Sequence, residues 1–158
     1  NLSAAVRNLS ADSSSTRGVF FRGFDGSSSR NVIEYITIAS TGNATDFGDS
    51  NFGGYSSWAA CGSGVRSLDA KSGNTADVEY ITIASTGNAT DFGDLAVNMT
   101  NNSSGASSAT LALFQIYDAS GTINRMTIAT TGNAVDYGDL AAEQGYAGGT
   151  SNSNGGLQ

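Results

Sequence analysis

Short runs of alternating apolar and polar residues, separated by turns rich in glycine, serine and asparagine, set the character of this chain. In Val32-Ile-Glu-Tyr-Ile-Thr-Ile-Ala39, Ile36 and Ile38 fall on one face and Tyr35 and Thr37 on the other. That alternation is the signature of a strand with one buried face. The same positions return as Ile81/Ile83 and Met126/Ile128, which predicts an apolar strand face kept in every unit. Ser40-Thr-Gly-Asn43 then reads as a turn, with Gly42 or Asn43 suited to a positive φ. Ala44-Thr-Asp-Phe-Gly-Asp49 reads as a short returning strand ending in a second turn, and Phe47, Phe92 and Tyr137 as core plugs. No segment carries a sustained helical stripe, so no helix is predicted.

The pattern repeats almost verbatim. Glu34–Asp49 and Glu79–Asp94 are identical, and Asn124–Asp139 is a close copy. Tyr35 to Tyr80 and Ile81 to Met126 are both steps of 45 residues. A period in this range marks a repeat architecture. The other half of each unit diverges. It offers one apolar strand (Arg17–Phe24, Val65–Ala70, Thr110–Tyr117) and a hairpin-type turn (Asp25–Ser29, Lys71–Asn74, Asp118–Gly121). Ahead of it lies a Ser/Ala/Gly segment, either a small-residue strand or a loop, at Ala11–Thr16, Ser56–Ser63 and Asn101–Ala109. The expected fold class is all-β: three 45-residue antiparallel β-meander repeats, built as kelch-like blades or as a stacked β-solenoid or fibre. The units are placed at 1–49, 50–94 and 95–139, with a partial fourth unit or tail at 140–158.

Composition narrows the chemistry. With no histidine, a Ser-His-Asp or Cys-His unit cannot be assembled. With Cys61 alone, neither a closed thiolate zinc site nor a disulfide framework is available. The net charge of -7 and the scattered Arg7, Arg17, Arg22, Arg30, Arg66, Lys71 and Arg125 argue against nucleic acid. No apolar run reaches transmembrane length, so no membrane insertion is expected. The absence of an initiator methionine is what a processed chain or a fragment has. These readings point away from an enzyme.

Three features carry candidate chemistry. Asn43/Asp46/Asp49 recurs as Asn88/Asp91/Asp94 and Asn133/Asp136/Asp139, oxygen donors suited either to calcium or to capping their own turns. Their identical repetition speaks for scaffold over paired glycosidase carboxylates. Phe52, Tyr55 and Trp58 cluster in one loop-like stretch and suit either glycan or protein contact, or packing between units. Sequons at Asn1, Asn8, Asn43, Asn88, Asn98, Asn101 and Asn102 count as glycosylation sites only on a secretory route. Cys61 reads as a buried small side chain.

Gly18-Val-Phe-Phe-Arg-Gly-Phe-Asp-Gly-Ser-Ser28, Asn31-Val-Ile-Glu-Tyr35, Thr41-Gly-Asn43 and Phe47 resemble the order of a kelch-type propeller blade. Arg22-Gly23 stands where such a blade has a double glycine, and Phe47 where it has a tryptophan. The segments 35–50, 80–95 and 125–140 are similar to a repeat carried in many copies by proteins of tailed phages of marine bacteria and cyanobacteria. That resemblance implies a virion structural or appendage role and transfers no catalytic residue. The expectation is a virion or extracellular protein: a fibre, decoration or tail-associated component that self-associates and contacts other virion proteins. The alternatives are a subunit of an extracellular filament and a glycan-binding module that meets cell-surface glycan. With no proline and a single lysine, little guards the strand edges, so head-to-tail or lateral assembly through them is expected.

Overall fold

The computed structural model describes residues 1–52, 57–100, 103–117, 120–142, 145 and 147–149, with the backbone alone at 57 and 58. The fold is all-β, three four-stranded antiparallel sheets in chain order. The first holds β1 (Ser10–Ser13), β2 (Arg17–Phe24), β3 (Ser29–Thr37) and β4 (Thr45–Asp49). The second holds β5 (Ser57–Gly62), β6 (Arg66–Lys71), β7 (Thr75–Thr82) and β8 (Thr90–Met99). The third holds β9 (Ser104–Ser107), β10 (Leu111–Gln115), β11 (Thr122–Thr127) and β12 (Val135–Asp139). Each strand pairs with its sequence neighbour, so every sheet is a meander. β8 runs on past Asp94 to Met99 and carries the chain towards the third sheet.

The Ser/Ala/Gly segments are strands, β1, β5 and β9, and their small residues have a packing reason. They are the strands at which successive sheets meet. A Cβ on Gly105 would lie 2.9 Å from the Ala60 carbonyl oxygen, and Ser107 Oγ donates to the Gly62 carbonyl at 2.7 Å. Larger side chains there would force the sheets apart.

Two apolar clusters fill the spaces between sheets. Val19, Phe21, Ile33 and Phe47 of the first sheet pack on Ile81, Ile83 and Ala89 of the second unit. Leu68, Ala70, Val78 and Phe92 of the second pack on Phe114, Met126 and Ile128 of the third. The core therefore lies between units, and each sheet needs a neighbour to bury its face.

One β-bulge recurs at the same place in every unit. Ile33 pairs with Gly48 and Glu34 with Asp46, which leaves Phe47 as the extra residue. Phe92 and Tyr137 are the extra residues in the other two sheets. A bulge re-aims a side chain and adds twist. Here it accompanies Phe47 and Phe92 into the inter-sheet clusters, where they are almost fully buried. Tyr137 corrects the expectation of a core plug: it is 59% exposed, because none of the three sheets among the described residues packs over it. The apolar strand face is likewise incomplete at the other end. Ile83 and Ile128 are buried, but Ile38 is 53% exposed, with no sheet among the described residues packed on that face.

Candidate functional site

The residues repeated most strictly in the sequence converge on the joint between consecutive units. At the first joint, the free edge of β4 meets the turn that leads into β8. Gly87 N donates to the Phe47 carbonyl at 2.7 Å, and Ala89 N to the Asp49 carbonyl at 2.8 Å. Between them, Asp49 N donates to Asn88 Oδ1 at 3.0 Å. Asn51 N completes the set by donating to Glu79 Oε2 at 2.9 Å. The second joint copies the first: Gly132 N to Phe92 O at 2.8 Å and Ala134 N to Asp94 O at 2.7 Å. Asp94 N donates to Asn133 Oδ1 at 3.1 Å, and Ala96 N to Asn124 Oδ1 at 2.7 Å. Each unit thus binds the next through backbone groups that would otherwise be an unpaired strand edge.

The glycine of Phe-Gly-Asp is dictated by this approach. Gly48 and Gly93 have φ of +148° and +140°, and a Cβ on them would lie 2.4 and 2.6 Å from the Gly87 and Gly132 carbonyl oxygens. Arginine reinforces the contact. Arg17 Nη1 donates to the Ile83 carbonyl at 2.9 Å, and Arg66 Nη1 to the Ile128 carbonyl at 3.2 Å. Both guanidinium groups also stack on the tyrosine of their own unit, Arg17 on Tyr35 at 4.5 Å and Arg66 on Tyr80 at 4.8 Å.

The first joint holds an ion cluster that the second lacks. Arg22, in a left-handed backbone conformation with φ 50°, is fully buried and paired with Asp69. Its Nη2 also lies 3.6 Å from Glu79 Oε1. Ser10 Oγ donates to Asp69 Oδ1 at 2.7 Å. Burial pushes the Arg22 pKa down and the Glu79 carboxyl up, the latter opposed by the guanidinium. The residues 45 positions on from Asp69 and Glu79 are Phe114 and Asn124, so the second joint carries no charge at those two places.

The calcium candidates are placed as follows. Asn88 and Asn133 hold the neighbouring unit's backbone, and Asn43 Oδ1 accepts from Asn1 N at 3.0 Å. Asn88 and Asn133 act between units, a role that capping of their own turns did not suggest, whereas Asn43 holds the first residue of its own unit. Asp46, Asp91 and Asp136 are exposed, and Asp136 Oδ1 accepts from Gly138 N at 3.0 Å. Asp49, Asp94 and Asp139 end β4 and pair within β8 and β12, each joined through its backbone to the preceding strand. Among the described residues, no three His, Cys, Asp or Glu side chains are grouped to hold a metal ion.

Of the aromatic candidates, Phe52 is half-buried under the Lys71 ammonium, 4.8 Å from its ring centroid. Tyr55 lies outside the described residues, as does the side chain of Trp58, whose backbone is in β5. Cys61 is buried against β10, its Sγ 3.8 Å from the Leu113 carbonyl, and burial pushes its thiol pKa up. That is the opposite of what a nucleophilic thiol needs.

A cleft of about 220 Å³ opens at the first joint between Phe47, Tyr80, Ile81 and Asn88. Tyr80 is the one ionisable side chain among the residues that line it. The chain matches no protein-family model and no curated protein.

Proposed function

We propose that the chain is a non-enzymatic structural protein, a repeat module of a phage particle such as a fibre, decoration or tail-associated component. One observation carries this reading. Residues that recur unchanged, Gly-Asn-Ala and the Gly-Asp that follows the bulged aromatic, fasten one unit to the next. In a binding or catalytic repeat, the constant residues surround a ligand, whereas here they build a joint and the divergent hairpins vary. The phage setting rests on the resemblance of the repeat to phage-borne arrays. An extracellular filament would use the same joint.

Light scattering with electron microscopy on the native sample tests the structural role. A particle component or a defined oligomer is expected, and a strictly monomeric chain at high concentration refutes it. Neighbouring capsid or tail genes are expected for the phage setting. Secretion genes in their place would move the assignment to a cellular filament.

A further inference from the structure

We infer that copies of this chain join head to tail, the Val135–Asp139 strand of one taking the Thr41–Ala44 turn and the Ile38 face of the next. This rests on the structural-assembly reading above and specifies its contact. Both halves of the joint are present and incompletely covered at the two ends of the molecule.

At the trailing end, Tyr137 is 59% exposed, where its counterpart Phe92 is buried. Gly138 keeps the backbone of the joint glycine, φ +143°, yet a Cβ on it would meet nothing within 4 Å. The conformation that makes room for a neighbour's turn is formed, and no turn among the described residues fills it. At the leading end, Ile38 is 53% exposed where Ile83 is buried. Tyr137 and Ile38 therefore stand to each other as Phe92 stands to Ile128 in the second joint.

The leading face is partly occupied by the chain's own first residues. Asn1 N donates to Asn43 Oδ1 at 3.0 Å, Ala44 N donates to the Asn1 carbonyl at 2.9 Å, and Ser3 N donates to Glu34 Oε1 at 2.9 Å. These reproduce the three bonds that Asp49 and Asn51 make at the first joint, so Asp139 and Ala141 of an incoming copy take the same places as the strap gives way. The strap shows that the face accepts such a segment, and it leaves the Ile38 side chain uncovered. A second copy is the occupant that the trailing end fits, because its leading end carries the same Thr-Gly-Asn-Ala turn and isoleucine that the second and third units present at the two joints within the chain.

Ile38→Asp spoils the leading face and Tyr137→Asp the trailing one. Both positions are exposed, so the monomer fold is retained, which circular dichroism checks. Each variant is expected to weaken self-association of the full chain by at least roughly thirtyfold in sedimentation velocity at about 0.15 M salt, where the like charge of the copies is screened. Mixed, the two are expected to form a 1:1 dimer that grows no further, because the mixture contains one sound pair of faces. Wild-type assembly with both variants assembling equally well overturns this joint and leaves the structural reading standing. A wild-type chain that stays monomeric overturns both.

Discussion

Alanine at the joint glycines separates the contact between units from the cost of the backbone conformation. Gly93 and Gly138 have nearly the same φ, +140° and +143°, so alanine at either pays a similar strain of about 1–3 kcal/mol. Only at Gly93 does the new methyl collide with a neighbour, lying 2.6 Å from the Gly132 carbonyl carbon and oxygen. Both are backbone atoms, so the turn must move away from β8. Three hydrogen bonds then go: Gly132 N to Phe92 O, Asp94 N to Asn133 Oδ1 and Ala134 N to Asp94 O. At a net ~0.5–1.5 kcal/mol each, Gly93→Ala should cost about 1.5–4.5 kcal/mol more than Gly138→Ala. Gly48→Ala, with its methyl 2.4 Å from the Gly87 oxygen, should behave like Gly93→Ala. Urea unfolding of dilute protein, followed by circular dichroism, gives the difference. A broadened transition is also expected, because a severed joint lets the units unfold separately. Equal losses at Gly93 and Gly138, to within about 0.5 kcal/mol, would refute the claim that the strand edge and turn hold the units together.

Asp69→Ala strips the buried Arg22 of its closest counter-charge and should destabilise by about 3–5 kcal/mol in the same assay. Asp12 is largely buried, and desolvation raises its carboxyl pKa above the ordinary 3.8. Between the ordinary and the raised value the folded state holds the extra proton, so stability falls as pH rises through that window. Glu79, also raised by burial, acts in the same sense, whereas Asp77, lowered chiefly by its Thr75 hydrogen bond, loses its contribution as pH falls. Asp12→Asn should therefore raise the urea midpoint at neutral pH and flatten its decline, and an unchanged pH profile would rule this out. Leu111 occupies the place of Arg17 and Arg66, each of which reaches the next unit's isoleucine carbonyl. Leu111→Arg should strengthen self-association in sedimentation velocity, and no gain would show that the guanidinium is idle at the joint between copies.

Much of the fold was legible because strand alternation and turn chemistry are local. Ile81/Ile83 and Met126/Ile128 alternate with polar residues and are buried as the period required. Asp25 ends a strand and caps the following turn by accepting from Ser27 N and Ser28 N at 2.9 and 2.8 Å, as an Asx residue in a hairpin does. What stayed hidden depends on neighbours. Tyr137 and Ile38 look identical in role to Phe92 and Ile83, and only the count of sheets around them sets their exposure. The bulge at Phe47 is silent in the pattern, since Thr-Asp-Phe-Gly-Asp reads as an ordinary strand. Arg22 sits in an apolar strand, and its partners lie 47 and 57 positions away. One signal did point to the joint: Gly-Asn-Ala and Gly-Asp persist where hairpin residues drift, and unvarying residues in a repeat serve what every copy shares.

The Arg22–Asp69 pair makes the order of the units matter to inheritance as well as to folding. Residues 34–49 and 79–94 are identical, so an exchange between the two stretches excises 45 residues in frame and leaves every strand and turn intact. In the shortened protein the first unit would face the third, and Arg22 would be buried against Phe114 and Asn124 instead of two carboxylates. An unpaired buried guanidinium is costly enough to disfavour that product. One ion pair thus sets a penalty on losing the second unit, the one that supplies both carboxylates.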